Sequence, residues 1–347
     1  MRLRPGSVHI PCVIGVGSGG SMIAATLGLG RAPGKRAVRR PRDMGERLVE
    51  PVVVSSSRMD VEDLMKEGVR YGFVIGSGKG SGSNPEKGRM DYLHSSLRDE
   101  ILEAPKRIAE RRGMRLDLIP VICCLGFGCG SGAGPEIIKD LRDRYRDSLV
   151  MGFGILPFSW EGPDTYRRAV KAIKRMMKYA PTIPISNHYV QILVSGTRHR
   201  KLKDLINRIN EYIASWLEVL VRGGMTSETI TRFDVSDMIS AFKPGPILML
   251  RWRLRRPDQL ASLEISDSST LIPIRRGDIP SKLRSALTVI LSGVGAEISE
   301  DMMTGFHESL ESALNARIRS SKLLIGMWRG QVGVDVLTML AGVRFNA

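Results

Sequence analysis

Aromatic residues are scarce in this chain, cysteines number only four, and acidic side chains are well outnumbered by basic ones. Each shortage excludes something. With 5% aromatics and no aromatic interleaving of the kind single-strand binders use, the chain lacks the stacking platforms of proteins that grip single-stranded nucleic acid. Cys12, Cys123, Cys124 and Cys129 fall in or beside apolar runs without the spacing of a zinc site. No protein-held metal is expected from them, and the chain reads as a protein of a reducing cytoplasm. The N-terminal stretch MRLRPGSVHIPCVIGVG is basic and then apolar, but it breaks into glycine short of the roughly 18 apolar residues of a membrane span. It reads as a first strand, with no transmembrane segment. No GxxxxGK[ST] occurs, which disfavours a P-loop.

Positive charge and glycine are plentiful. The 52 Lys and Arg residues against 36 Asp and Glu give a formal net charge of +16, a sign that suits lipid headgroups, nucleic acid or nucleotides. These charges gather in Arg31–Arg47, Lys106–Arg115, Arg167–Lys178, Arg198–Lys203 and Arg251–Arg256. Several lie at helical spacing beside core positions, so a solvated basic surface accounts for them without any partner. At 347 residues the chain can bury a sizeable core, in two domains or one large one.

Short apolar runs alternate with helical patterns through roughly the first 200 residues. The expected strands are His9–Ile14, Pro51–Val54, Tyr71–Ile75, Leu118–Cys124 and Ser148–Ile155. The expected helices are Ser21–Leu29, Val61–Lys66, Arg89–Arg112, Glu136–Tyr145 and Thr165–Tyr179. A longer helical pattern, Lys203–Val221, is closed by Gly223-Gly224 and argues for a central helix between two subdomains. Beyond it come a short helix opened by Asp234, strands Ile247–Trp252 and Leu287–Leu291, helix Ser299–Ala313, and strands Leu323–Trp328 and Val332–Val343. The expected fold is α/β: a doubly wound parallel-sheet nucleotide-binding domain over 1–202, a connecting helix over 203–222 and a smaller α+β C-terminal domain over 223–347.

Three glycine-rich loops follow strands in the first part: GVGSGG (Gly15–Gly20), GSGKGSGSNPEKG (Gly76–Gly88) and GFGCGSGAG (Gly126–Gly134). Glycine leaves backbone N–H groups unshielded, and a following helix adds the positive end of its dipole, so each loop reads as a phosphate cradle. The first also satisfies a dinucleotide fingerprint. That fingerprint wants an acid at the end of the second strand, where this chain has Ser55, Ser56 and Ser57, and it leaves the other two loops without a task.

Three such loops can converge on one polyphosphate, and here the sequence resembles the FtsZ/tubulin superfamily of polymerising GTPases. GFGCGSGAGP resembles that family's signature, GVGSGG its first phosphate loop and GSGSNPEKG its third. PFSWEG is similar to the segment carrying a sugar-contacting glutamate, Ile185-Ser186-Asn187 to the base-side loop, and Asn210-Glu211 to the pair that reads guanine. The resemblance implies a nucleotide site of Gly17, Ser18, Gly19, Gly20, Ser21, Gly80, Ser81, Gly82, Ser83, Asn84, Gly128, Cys129, Gly130, Ser131, Gly132, Pro157, Glu161, Asn187, Asn210 and Glu211. It also implies that Asp234 and Asp237, spaced i, i+3 at a helix start, reach into the next subunit's nucleotide as catalytic carboxylates; capping of the helix is their plainer role.

GTP or GDP with Mg²⁺ are the implied ligands, and the implied assembly is a head-to-tail filament. The departures concern Phe127, Cys129, Ser18, Met22, the three serines, Arg232, and Thr165 where a basic residue is expected, with Arg167 or Arg168 nearby. They favour intact binding over fast hydrolysis. A nucleotide-binding structural or regulatory protein with little turnover, and a DNA-segregation filament, are the alternatives. Because the last strand ends close to position 347, without a tail, the basic surface with Arg31–Arg47 is expected to touch anionic lipid.

Overall fold

The computed structural model describes residues 8–33, 47–195, 201–225, 229–231, 235–275, 277–293, 298–327 and 331–345. Asp234 and Arg232 lie outside the described residues, as does most of Arg31–Arg47. The first part runs β1 (Cys12–Val16), α1 (Gly17–Leu29), β2 (Glu50–Ser55), α2 (Arg58–Lys66), β3 (Tyr71–Val74), α3 (Pro85–Leu93), α4 (Arg98–Arg111), β4 (Leu118–Cys124), α5 (Gly128–Arg144), β5 (Leu149–Leu156), α6 (Pro163–Tyr179), β6 (Pro181–Ser186), α7 (Asn187–Val194) and the long α8 (Leu202–Met225). The remainder is β7 (Thr229–Thr231), α9 (Val235–Ala241), β8 (Gly245–Leu254), β9 (Lys282–Leu283), β10 (Ser285–Ser292), α10 (Glu300–Leu314), β11 (Arg317–Ile318), β12 (Ser321–Met327) and β13 (Val334–Ala341).

One sheet of 11 strands crosses the molecule in the order β3-β2-β1-β4-β5-β6-β8-β13-β10-β12-β7. The six strands from β3 to β6 are all parallel, and their order reverses at β1 and β4. Ligands of doubly wound sheets bind at such a reversal, beyond the strand C-termini. Strands β8, β13 and β10 pair antiparallel over long registers, and β12 joins β10 in parallel. The two halves meet at β6 and β8 over only two residue pairs, Pro181↔Gly245 and Thr182↔Pro246, two of whose four residues are prolines without an N–H to donate.

Apolar side chains fill both faces of the sheet. On one, Ile23 and Leu27 of α1 meet Ile209, Ile213, Trp216, Leu217 and Leu220 of α8 over β5 and β10. On the other, α3 to α6 cover β1, β2 and β4. A third cluster packs Phe306, Leu310 and Leu314 of α10 on the second half of the sheet. No helix among the described residues is long and apolar enough to cross a membrane.

Several expected boundaries move, each for a physical reason. Helix α5 starts at Gly128 rather than Glu136, so the glycine-rich signature forms its first two turns, with Pro135 inside the helix. Close packing holds those turns: a Cβ on Gly130 would lie 2.0 Å from the Cys124 carbonyl oxygen, and one on Gly132 2.0 Å from that of Pro85. Likewise α1 starts at Gly17. The single helix expected over Arg89–Arg112 is two, α3 and α4; Asn84 caps the first, accepting from the N–H groups of Glu86 and Lys87 at 3.0 and 3.2 Å. The glycines at 223 and 224 do not close α8, which continues to Met225. They are packing positions, since a Cβ on Gly224 would lie 2.2 Å from the Val8 carbonyl oxygen.

Candidate functional site

An α-helix leaves its first N–H groups without internal partners, and proteins usually cap them. Ser57, Asn84, Ser186 and Ser299 do so for α2, α3, α7 and α10. Among the described residues, α1 and α5 alone have neither a side-chain cap nor an acidic residue in the first turn. They are also neighbours: a Cβ on Gly17, whose φ is +75°, would sit 3.0 Å from the Gly130 nitrogen. Two helix dipoles therefore present their positive ends at one point, at the reversal of strand order.

The second glycine loop closes a third side. It is laid along the end of β2 by two backbone bonds, Gly80 N–H to Ser56 O at 2.7 Å and Arg58 N–H to Gly78 O at 2.8 Å. Gly80 and Gly82 have positive φ and open space where a Cβ would be. Contact with the signature is through glycine, because a Cβ on Gly88 would meet the Gly128 carbonyl oxygen at 2.3 Å and one on Gly128 the Ser81 side chain at 2.5 Å. All three loops are thus brought together.

The hydroxyls of the loops bond within the protein. Ser21 donates to Gly15 O at 3.2 Å, Ser131 accepts from the Gly126 N–H at 2.7 Å, and Ser81 bonds Ser56 and the Asp91 carboxylate, both at 2.8 Å. All three side chains are buried, and they tie the loops to one another and to the strands. Ser18 is exposed and donates to Asp60. Asp60 also accepts from Ser55 at 3.3 Å, so α2 supplies a carboxylate beside the three serines. Cys129 is buried with its Sγ 4.0 Å from Val54 O, and burial pushes its thiol up to about 11 despite hydrogen bonds from Ser56 and Gly17. Phe127, one residue before α5, is 41% exposed.

Pro157 is buried, and Glu161 follows in a short helical turn with its carboxylate accepting from Phe158 N–H at 2.7 Å. Burial raises the Glu161 carboxyl; burial first, and the Glu161 charge second, raise the Cys124 thiol, which packs on Gly19 in the first turn of α1. Trp160, 52% exposed, stacks on Phe158 at 4.2 Å. Of the two arginines near Thr165, Arg168 donates to Gly126 O at 2.8 Å and steadies the signature, whereas Arg167 pairs with Asp164 on the surface.

The remaining candidates sit on α7 and α8, which pack together while α8 also packs on α1. Asn187 is the first residue of α7, and Asn210 is buried on α8 beside Glu211. The amide oxygens of Asn187 and Gln191, one turn apart, are both buried without a hydrogen-bond partner. Far along the sheet, Asp237 on α9 accepts from Lys322 Nζ at 2.7 Å. Within one chain it is not assembled with the loops. Sequence reading missed Asp60, Asp91, Trp160 and Gln191; only the position of Asp60 three residues after a capping serine was a signal.

Residues 49–193 match the model of the Tubulin/FtsZ family, GTPase domain. The chain is 25% identical to the cell division protein FtsZ of Aquifex aeolicus over 86% of its own length and 76% of the relative. Matches to several other relatives span about half of their length. Among solved structures, a GTPγS-bound protofilament of CetZ2 from Haloferax volcanii superposes with a TM-score of 0.71 at 20% identity, over 96% of this chain and 93% of that one. The tubulin-like protein CetZ of Pyrococcus abyssi is 30% identical over 93% of this chain and 86% of its own length. On that match and on the arrangement of its three glycine loops, this chain belongs to the tubulin/FtsZ family.

Proposed function

We propose that the chain binds GTP and hydrolyses it in head-to-tail filaments whose active sites form between subunits. The observation that carries this reading is the pair of uncapped, glycine-built helix N-termini of α1 and α5 meeting at the reversal of strand order. In this reading the N–H groups of Gly17–Gly20 and Gly128–Gly132, with the Gly80–Asn84 loop, hold the phosphates. Glu161 offers its second carboxylate oxygen to the ribose. Asn187, Gln191, Asn210 and Glu211 read the base; orphaned amide oxygens suit the N–H donors of guanine and leave adenine's edge poorly matched.

Mg²⁺ fits the residues present, because it is held by one or two carboxylates plus phosphates, and Asp60 with Ser18 provides oxygen donors beside α1. When bound it would neutralise charge on the terminal phosphates. The residues of this chain do the rest: the loops fix the phosphates, and Asp237 of the next subunit, with Asp234, orients water at the γ-phosphate. The division into a nucleotide domain over 1–202, a connecting helix over 203–222 and a C-terminal part over 223–347 belongs to the same proposal. The family and the protofilament architecture of a solved relative support it.

Phosphate release measured against protein concentration tests it. Release per subunit rises with concentration, prefers GTP over ATP by at least about tenfold, and disappears in Asp237→Ala with GTP binding retained. A flat, low rate in the native protein would favour the second reading, a nucleotide-binding filament protein with little turnover. That reading draws on the Lys322 ion pair, which already occupies Asp237.

A further inference from the structure

We propose that the outer face of α6 is an adhesion surface for anionic lipid membranes. Arg167, Lys171, Lys174 and Lys178, separated by four, three and four residues, form one exposed row along this helix. Neighbouring like charges at such spacing destabilise a helix, so the row does nothing for the fold. Elsewhere on the same face of the sheet charge is used internally: Arg144 pairs with Asp99 and Glu103, and Arg98 with Asp140, tying α4 to α5. Among the described residues Lys171, Lys174 and Lys178 have no acidic partner, and Asp164, at one end of the row, pairs only with Arg167. Lys139 and Arg142 on the exposed side of α5, which packs beside α6, widen the row into a face two helices across.

The chemistry of the face selects the partner. Two of the three guanidinium forks of α6 are turned inward, Arg168 onto Gly126 O and Arg175 onto Glu136, and the third, Arg167, is paired with Asp164. What faces outward is chiefly lysine, a point charge on a long apolar stem that suits loosely ordered headgroups. The apolar side of α6, with Ala169, Ala172, Ile173 and Met176, is buried in the core, so the helix lies on a surface without inserting. In a filament, repeated weak contacts of this kind would add up to firm attachment, but the inference rests on the row along α6 and its margin on α5 and does not depend on nucleotide turnover.

The test is sedimentation of the full chain with vesicles of phosphatidylcholine alone or mixed with phosphatidylglycerol. Binding is expected only to the mixed vesicles, released by salt and weakened at least about tenfold in Lys171→Gln/Lys174→Gln/Lys178→Gln. GTP binding and thermal melting of that variant should match the native chain. A control with the same loss of charge, Lys66→Gln/Lys243→Gln/Lys282→Gln, should bind as the native chain does. The proposal is overturned by equal weakening in both triple variants, by unchanged binding in the first, by adhesion to neutral vesicles, or by retention on duplex DNA with no vesicle binding.

Discussion

Gly130 shows how little room a single position leaves. The Cys124 carbonyl oxygen sits 2.0 Å from where a Cβ would be, and Val16 O is 3.3 Å from the same point. Alanine is the better helix former, yet Gly130→Ala should destabilise by about 1–3 kcal/mol through overpacking and weaken nucleotide binding more than that loss explains; melting and titration with GTP measure the two effects. The cysteines give a pH signature at the same scale. Burial pushes Cys129 up to about 11, and Cys12 and Cys124 up to about 12, from an ordinary value of 9.0. Above pH 9 the unfolded chain releases thiol protons that the folded chain keeps, so the stability these thiols contribute is intact below that pH and is lost as pH rises toward 11 and 12. Denaturant titrations at pH 8 and pH 10.5 should show the fall, and replacing these three cysteines by alanine should make it shallower once each variant is compared with its own value at pH 8, the remainder coming from Cys123, Tyr92 and Tyr145, which burial also raises. At neutral pH the same thiols should alkylate far more slowly than in the unfolded chain.

Elements were legible where burial wrote a continuous apolar run. Strand β4 falls on its expected residues, Leu118–Cys124, because both of its faces are covered. The starts of α1 and α5 were not, since glycine is the poorest non-proline helix former and a run of it looks like a loop. The signature becomes helix only because β4, α1 and α3 press against it, which is information held by the tertiary structure. The same holds for the site: three glycine loops announce a phosphate cradle, but Asp60 and Asp91 join it by folding, from α2 and α3. Gly224 separates propensity from packing. Helix propensity alone makes Gly224→Ala stabilising by about 1 kcal/mol, whereas its 2.2 Å approach to Val8 O makes it destabilising. A lower melting temperature is the expected result, and a rise would mean that Gly224 serves no packing role.

At the scale of the whole molecule, the long helix and the second half of the sheet are joined by one buried cation. Arg251 on β8 makes two 2.8 Å bonds to Asp335 on β13 and a third, also 2.8 Å, to the Ser215 carbonyl in the middle of α8. Arg251→Met leaves Asp335 buried without its partner and should cost about 3–5 kcal/mol, while Arg251→Met/Asp335→Leu should recover most of it; chemical denaturation of both checks this. The pairing at the start of β8, the strand that carries Arg251, is much thinner. Where β6 meets β8, the sheet is continuous through two residue pairs, against eight pairs between β8 and β13. Considered as a material under load, the 11-stranded sheet has a weak weld at its centre. Load passing along the strand order crosses this seam through two residue pairs only, Pro181-Thr182 against Gly245-Pro246, so between the halves the packing of α1 on α8 over β5 and β10 carries the rest.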